Sequence, residues 1–187
     1  MTDRRTEILD GALRVLAEQG MRGLTHRAVD GAAGLAQGST SYYFRSRSAL
    51  VAGCVDRLLE LDLLIEAAPP APTDPDELVE AVVGVGISMV TTQRHRTLAR
   101  YELSLAAVRD PQLRVALTRG GDAIRAVVAQ AVGGAGVADA RTAADELAAT
   151  LDGMVFTALV RGPHEPAELA AWLRPALAHV LGAHLGR

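Results

Sequence analysis

Within eleven residues, from Gln37 to Arg47, the chain carries a glutamine, three serines, a threonine, two tyrosines and two arginines. These side chains can hydrogen-bond to the edges of bases and to phosphate oxygens. The Gln37 amide matches the two-point edge of adenine. Ser39 and Thr40 can meet a thymine methyl or donate to a base, and Tyr42 and Tyr43 can reach bases or phosphates. Gly38, Ser39 and Ser41 are small enough to let a helix backbone enter a groove about 12 Å wide without bulky side chains holding it away. Arg45 and Arg47 follow and supply positive charge.

Such groups read a duplex only if the preceding chain presents them rigidly. Thr25 is placed to cap a helix starting at His26, with Leu24 packing on Val29 as a hydrophobic staple. Val29, Ala32 and Ala33 share its inner face. Gly34 then stands where a left-handed residue closes a helix and turns the chain, and Leu35 fills the corner. The turn is short, so the second helix crosses the first steeply. That second helix, over residues 37–44, is intrinsically weak, because glycine, serine and threonine cost about 0.3–1 kcal/mol per position against alanine. Its neighbours must hold it in place.

The 27 residues LTHRAVDGAAGLAQGSTSYYFRSRSAL, Leu24 to Leu50, closely resemble the amino-terminal signature of TetR-family transcriptional repressors. The resemblance covers the Leu-Thr opening, the Ala-Gly turn, the Gly-Ser pair, the Tyr-Tyr-Phe close and the Arg47-Ser48-Ala49-Leu50 start of a fourth helix. It implies Thr25, His26 and Arg27 near the phosphate backbone, and Gln37, Gly38, Ser39, Ser41, Tyr42 and Tyr43 in the groove. Arg47 takes the place of the family's basic residue at the start of the fourth helix. Two positions depart from the pattern. Ala36 replaces a frequent serine, whose loss as a cap would cost about 1 kcal/mol, and Ser41 stands where an aromatic is common. Phe44 is expected in the core, one of Tyr42 and Tyr43 can serve as its roof, and Arg45 can be a solvated charge.

Composition bounds the alternatives. Hydrophobic residues make up 49% of the 187 residues but aromatic ones only 3%, which favours an all-α chain built on Ala, Val and Leu. Net charge is −3. Residues 1–60 hold 8 arginines against 7 acids and the remainder 11 against 15, so only the first part tolerates a polyanion, through a few placed contacts. Cys54 is the sole cysteine, excluding an intramolecular disulfide and a cysteine metal framework, and it is expected to be a small buried hydrophobe. No apolar run suits a membrane span or a signal segment, so a cytoplasmic protein is expected. His26, His95, His164, His179 and His184 are scattered and form no i, i+4 metal pair, and nucleophile-elbow and phosphate-loop motifs are absent. No enzyme, metal or cofactor is expected. The alternatives to a regulator, an enzyme or a helical adaptor without DNA binding, have no motif in their favour.

Periodicity along the chain predicts a bracing helix from Asp3 to Gln19, stopped by Gly20, and a fourth helix over 48–66 whose apolar face widens at Leu61 to Leu64. A proline-marked connector follows over 67–73. Asp74-Pro75 opens a helix running to about Gln93, and further helices are expected over 96–109, 111–132, 138–161 and 165–185, the last kinked at Pro175. The expected architecture is an N-terminal three-helix helix-turn-helix DNA-binding domain, residues 1–47, and a C-terminal helical effector-binding and dimerisation domain, residues 48–187, with helix 48–66 linking the two. The last two helices, 138–161 and 165–185, carry apolar stripes wide enough to face both their own core and the second copy of a homodimer. The family resemblance raises this expectation, since the equivalent pair there forms a four-helix bundle across a twofold axis. Partners are then double-stranded operator DNA, a second copy and a small-molecule effector, and no membrane. Glu102 shares a face with Leu98 and Leu105, so it is read as turned inward, toward either a ligand or an arginine. Met89, Gln93, Tyr101, Leu105, Met154 and Phe156 complete the candidate ligand set. The implied mechanism is a repressor dimer released from a near-palindromic operator by its effector.

Overall fold

The computed structural model describes residues 3–66 and 72–185. The connector expected over 67–73 therefore lies outside the described residues except for its last two. The described residues contain nine helices and no strand: α1 (Arg4–Gly23), α2 (His26–Ala32), α3 (Ser39–Tyr43), α4 (Arg47–Glu66), α5 (Pro75–Val90), α6 (Arg94–Ala107), α7 (Pro111–Gly134), α8 (Ala140–Arg161) and α9 (Pro166–His184). The all-α expectation holds, and the helix ends fall within a few residues of those read from capping and breaker residues. The contacts group the chain into two compact units, one of Met1–Ile65 with His95–Gly121, the other of Glu66–Arg94 with Asp122–Arg187.

In the first unit α1 buries Ile8, Leu9, Ala12, Leu13, Val15 and Leu16 on one face. Gly20, with φ 66° and ψ −172°, breaks this helix at the residue expected to stop it, and a short further turn carries the chain to Gly23. The break leaves backbone groups without helical partners. Glu102 of α6 supplies an acceptor, its Oε2 taking the N–H of Met21 at 3.0 Å. Arg47 supplies donors, giving its guanidinium to the carbonyls of Met21 and Leu24. Glu102 is thus turned inward as expected, where it accepts from the backbone of α1.

Leu50, Val51, Cys54, Val55, Leu58 and Leu61 of α4 join the same core, together with Ala99, Leu103 and Ala107 of α6. The widening of α4 stops at Leu61, since Leu63 and Leu64 are exposed. Two ion pairs cross this unit: Arg57 with Asp10 at 2.9 Å and Arg100 with both oxygens of Asp62 at 2.7 and 2.8 Å.

In the second unit Asp74 caps α5 by accepting the N–H groups of Asp76 and Glu77, with Pro75 in the first turn. α5 packs on α8 and α9, which pack on each other. Gly86 makes this close approach possible, for a Cβ there would fall 2.8 Å from methyls of both Leu151 and Leu173. α9 continues through Pro175 to His184. The part of the stripes expected to face the chain's own core is buried: Leu147, Leu151 and Val155 of α8 and Leu169, Leu173, Leu177 and Leu181 of α9. Phe156 and Val160 of α8 remain exposed.

Candidate nucleic-acid interface

Thr25 caps α2, its hydroxyl oxygen accepting the N–H of Ala28 at 3.2 Å, while Leu24 and Val29 are fully buried beneath it. At the other end Gly34 takes φ 68°, Gly34 N–H bonds Gly31 O and Leu35 N–H bonds Asp30 O at 2.8 Å. This is the paired closure of a helix by a left-handed glycine. The half-buried Leu35 packs against the core cluster, as its corner position suggested. From α1, Arg14 donates to the carbonyl of Ala32 at 2.8 Å and fastens the same end.

α3 is five residues long and begins from Gly38, whose φ of 95° again requires glycine and whose lack of a side chain leaves no cap of its own. The cap comes from α2. Asp30 is 3% exposed, and its carboxylate accepts from Gly38 N at 2.7 Å through Oδ2 and from both Thr40 N, at 2.7 Å, and Thr40 Oγ1, at 2.6 Å, through Oδ1. Burial pushes this carboxyl up, but the hydrogen bonds from Thr40 and Gly38, helped by His26, outweigh it and hold the group below its ordinary value of 3.8. One turn earlier on α2, His26 donates from Nε2 to the carbonyl of Phe44 at 2.7 Å. Asp30 therefore holds the beginning of α3 and His26 its end.

Phe44 is 1% exposed and closes the core as expected, with the Arg5 guanidinium 4.4 Å from its ring centroid. The outward face of the pair carries Arg27, Gln37, Ser41, Tyr42, Tyr43 and Arg45. Tyr42 is 77% and Tyr43 39% exposed, and their rings meet edge to face at 5.2 Å. Neither roofs the core.

Several residues expected at DNA also bond within the protein. Thr40 is fully buried and its hydroxyl is committed to Asp30, so it does not present that group to a base. His26 is tied to Phe44, Arg47 to the break after α1, and the half-buried Ser39 gives its hydroxyl to Ala36 O at 2.7 Å. Gly38 acts as a left-handed hinge before it acts as clearance. Sequence reasoning missed Asp30 and Arg5. Asp30 has Arg27 at i−3 and His26 at i−4, so it reads as an ordinary helix ion pair; the only hint was its place beside core Val29 in a chain lacking the usual serine at 36.

The ligand candidates divide between the units, with Tyr101, Glu102 and Leu105 in the first and Met89, Gln93, Met154 and Phe156 in the second. Leu105 and Phe156 are 60% and 52% exposed, and Glu102 is held by Met21. A groove of about 370 Å³ in the second unit lies between α5 and α9 and is lined by Val79, Pro175, His179 and Leu185 among others, with none of the seven candidates. Among the described residues no cluster of three or more His, Cys, Asp or Glu could hold a metal, and no helix is long and apolar enough to cross a membrane.

Residues 8–54 match the family of bacterial regulatory proteins called tetR, and residues 73–183 match the tetracyclin repressor-like C-terminal domain. No curated protein matches in sequence. Among solved structures, the multidrug binding protein EbrR complexed with ethidium is 30% identical, with a TM-score of 0.72, covering 95% of this chain and 98% of that one. The TetR-family member SCO1917 from Streptomyces coelicolor A3 is 28% identical, with a TM-score of 0.73, covering 96% and 98%. A protein from Rhodococcus sp. described as a TetR-family transcriptional regulator shares the fold at 22% identity, with a TM-score of 0.79, covering 96% and 100%. With two family domains matched in order and α2 and α3 forming the helix-turn-helix, the chain belongs to the TetR family of DNA-binding transcriptional regulators.

Proposed function

We propose that the chain is a homodimeric repressor that holds a near-palindromic operator and is released from it by a small organic molecule. One observation carries the DNA half of this reading: the weak α3 is fixed on its inner side by α2, while Gln37, Ser41, Tyr42 and Tyr43 stand exposed on its outer side. Arg27 and the first turn of α2, capped by Thr25, meet the phosphate backbone beside them. Two such pairs in a dimer reach successive major grooves about 34–36 Å apart. Phe156 and Val160, exposed on α8, are the apolar groups offered to the second copy.

The effector half rests on likeness to EbrR, which is complexed with ethidium, proflavin and malachite green in solved structures. Met89, Gln93 and Met154, all in the second unit, are retained as contacts for a ligand of this size. An effector acts only through its different affinity for the DNA-competent and released conformations, and a few kcal/mol of difference is enough.

The test is a duplex selected by the full-length protein from a random library. Protection of two half-sites about one helical turn apart, a sedimentation mass of two chains, and loss of affinity on Tyr43→Ala are expected. Malachite green, titrated into the complex beside a DNA-only control, is expected to release it. A monomer, or a Tyr43→Ala variant with unchanged affinity, overturns the reading; a dye that binds without changing DNA affinity overturns its effector half.

A further inference from the structure

We infer that Asp30, His26 and Thr40 are positioning residues for sequence discrimination, their side chains setting which duplex is preferred without contacting a base. The inference rests on the reading of α3 as the recognition helix, and it concerns what makes that helix selective.

The physical argument begins with length. Five residues form barely one turn, and nucleating a turn fixes several dihedrals for one hydrogen bond. Gly38, Ser39, Thr40 and Ser41 give it little intrinsic support. Gly38 offers no side-chain cap and Ala36 has no hydroxyl, so within the turn only the Ala36 carbonyl, accepting the Ser39 N–H at 3.1 Å, satisfies a first amide of α3. The bonds that tie α3 to the preceding helix come from two side chains one turn apart on α2. The Asp30 carboxylate uses both oxygens on three donors of Gly38 and Thr40, and His26 fixes the carbonyl of Phe44. Because each Asp30 oxygen is an acceptor, an asparagine cannot reproduce the set: its NH2 would face an N–H donor.

Two consequences separate this arrangement from ordinary core packing. Loss of the clamp leaves the exposed reading groups in place but lets α3 sample other orientations, so contacts that demand geometry weaken more than contacts that demand charge. Base-edge hydrogen bonds are the first kind and phosphate attraction is the second. The Asp30 charge is also already consumed by α3 amides, which leaves the start of α3 unavailable as a phosphate site.

The experiment compares full-length wild type, Asp30→Asn and Thr40→Val by amide hydrogen exchange without DNA, and by binding to the selected duplex and to a shuffled duplex of the same composition. Exchange at Gly38 and Thr40 is expected to speed up by about tenfold or more in Asp30→Asn and by less in Thr40→Val, while α1 and α4 amides change little. The preference for the selected over the shuffled duplex is expected to fall by about tenfold in Asp30→Asn, with affinity for the shuffled duplex within about twofold of wild type. Unchanged exchange at both amides in both variants overturns the clamp. Faster exchange with an intact preference overturns its role in discrimination, as does equal loss on both duplexes. If Asp30→Asn unfolds the first unit as a whole, the milder Thr40→Val decides by the same measures. A wild-type protein that prefers no duplex contradicts the recognition-helix reading itself, a result distinct from all of these because exchange is measured without DNA.

Discussion

Gly53 and Gly84 both lie inside helices, α4 and α5, yet the same change to alanine is expected to move stability in opposite directions. Alanine is better than glycine in a helix interior by about 1 kcal/mol. At Gly84 nothing lies within 4 Å of the added methyl, so the full gain is expected. At Gly53 the methyl would stand 2.8 Å from Phe44 Cε1 and 2.9 Å from Leu9 Cδ2. Both neighbours are core residues, 1% and 7% exposed, and a ring closing the end of α3 has no free space to enter. Forcing a methyl into a filled core costs about 1–3 kcal/mol, so Gly53→Ala is destabilising by about 1 kcal/mol after the helical gain is credited. For a protein of this size the shift is about 2–4 °C, downward for Gly53→Ala and upward for Gly84→Ala. The aromatic residues make the two units separately visible. Tyr42, Tyr43 and Tyr101 are in the first unit and Trp172 is in the second. Thermal melts followed by tyrosine and by tryptophan emission therefore report the two changes apart. A tyrosine-reported midpoint that rises in Gly53→Ala, as the tryptophan-reported one does in Gly84→Ala, would refute the steric argument.

Other perturbations test the remaining ties. The Asp30 carboxyl is held below its ordinary value in the folded state, so its stabilisation is present above the unfolded value, about 3.9, and lost as pH falls through the folded one. The urea midpoint of wild type should exceed that of Asp30→Ala at pH 7, with the gap shrinking below about pH 4; a gap constant down to pH 3 contradicts the assignment. Burial raises the Asp62 carboxyl against the pull of Arg100 and Arg96. Arg100→Leu, which leaves that carboxylate without its two-point partner, should destabilise by about 1–3 kcal/mol, and adding Asp62→Leu should recover most of the loss in urea titrations. Burial pushes the Cys54 thiol up to about 12, so a disulfide reagent at pH 8 should leave the native protein unreacted and consume one thiol per chain only after denaturation.

What could be read directly from the sequence was whatever depends on near neighbours. Thr25 as a cap, Gly20 and Gly34 as stops, Asp74-Pro75 as an opening and the inner face of α1 all follow from residues within about one turn of each other, and the structure shows each in that role. The exposed face, Gln37 with Ser41, Tyr42 and Tyr43, was legible because its composition is odd for a helix. The inward groups were not. Thr40 and Ser41 are adjacent and equally polar, and only the crossing of α2 over α3 decides which one is buried. Arg47 and Glu102 find partners 26 and 81 residues away in sequence, at a backbone break whose open donors and acceptors no periodicity reveals. The stripes of α8 and α9 were legible as wide, but a face wide enough for two partners does not say how much of it the chain's own core consumes.

The short length of α3 also bears on how such a protein can change. Every group that keeps the helix in place points inward or belongs to α2, and the outward positions 37, 41 and 42 contribute little to holding it. On the proposed role of α3, substitutions at those positions alter what is read without first having to rebuild the fold. If α3 reads the operator as proposed, a single clamped turn gives the lineage a replaceable surface, in which a new target arises through one or two codon changes on an unchanged frame.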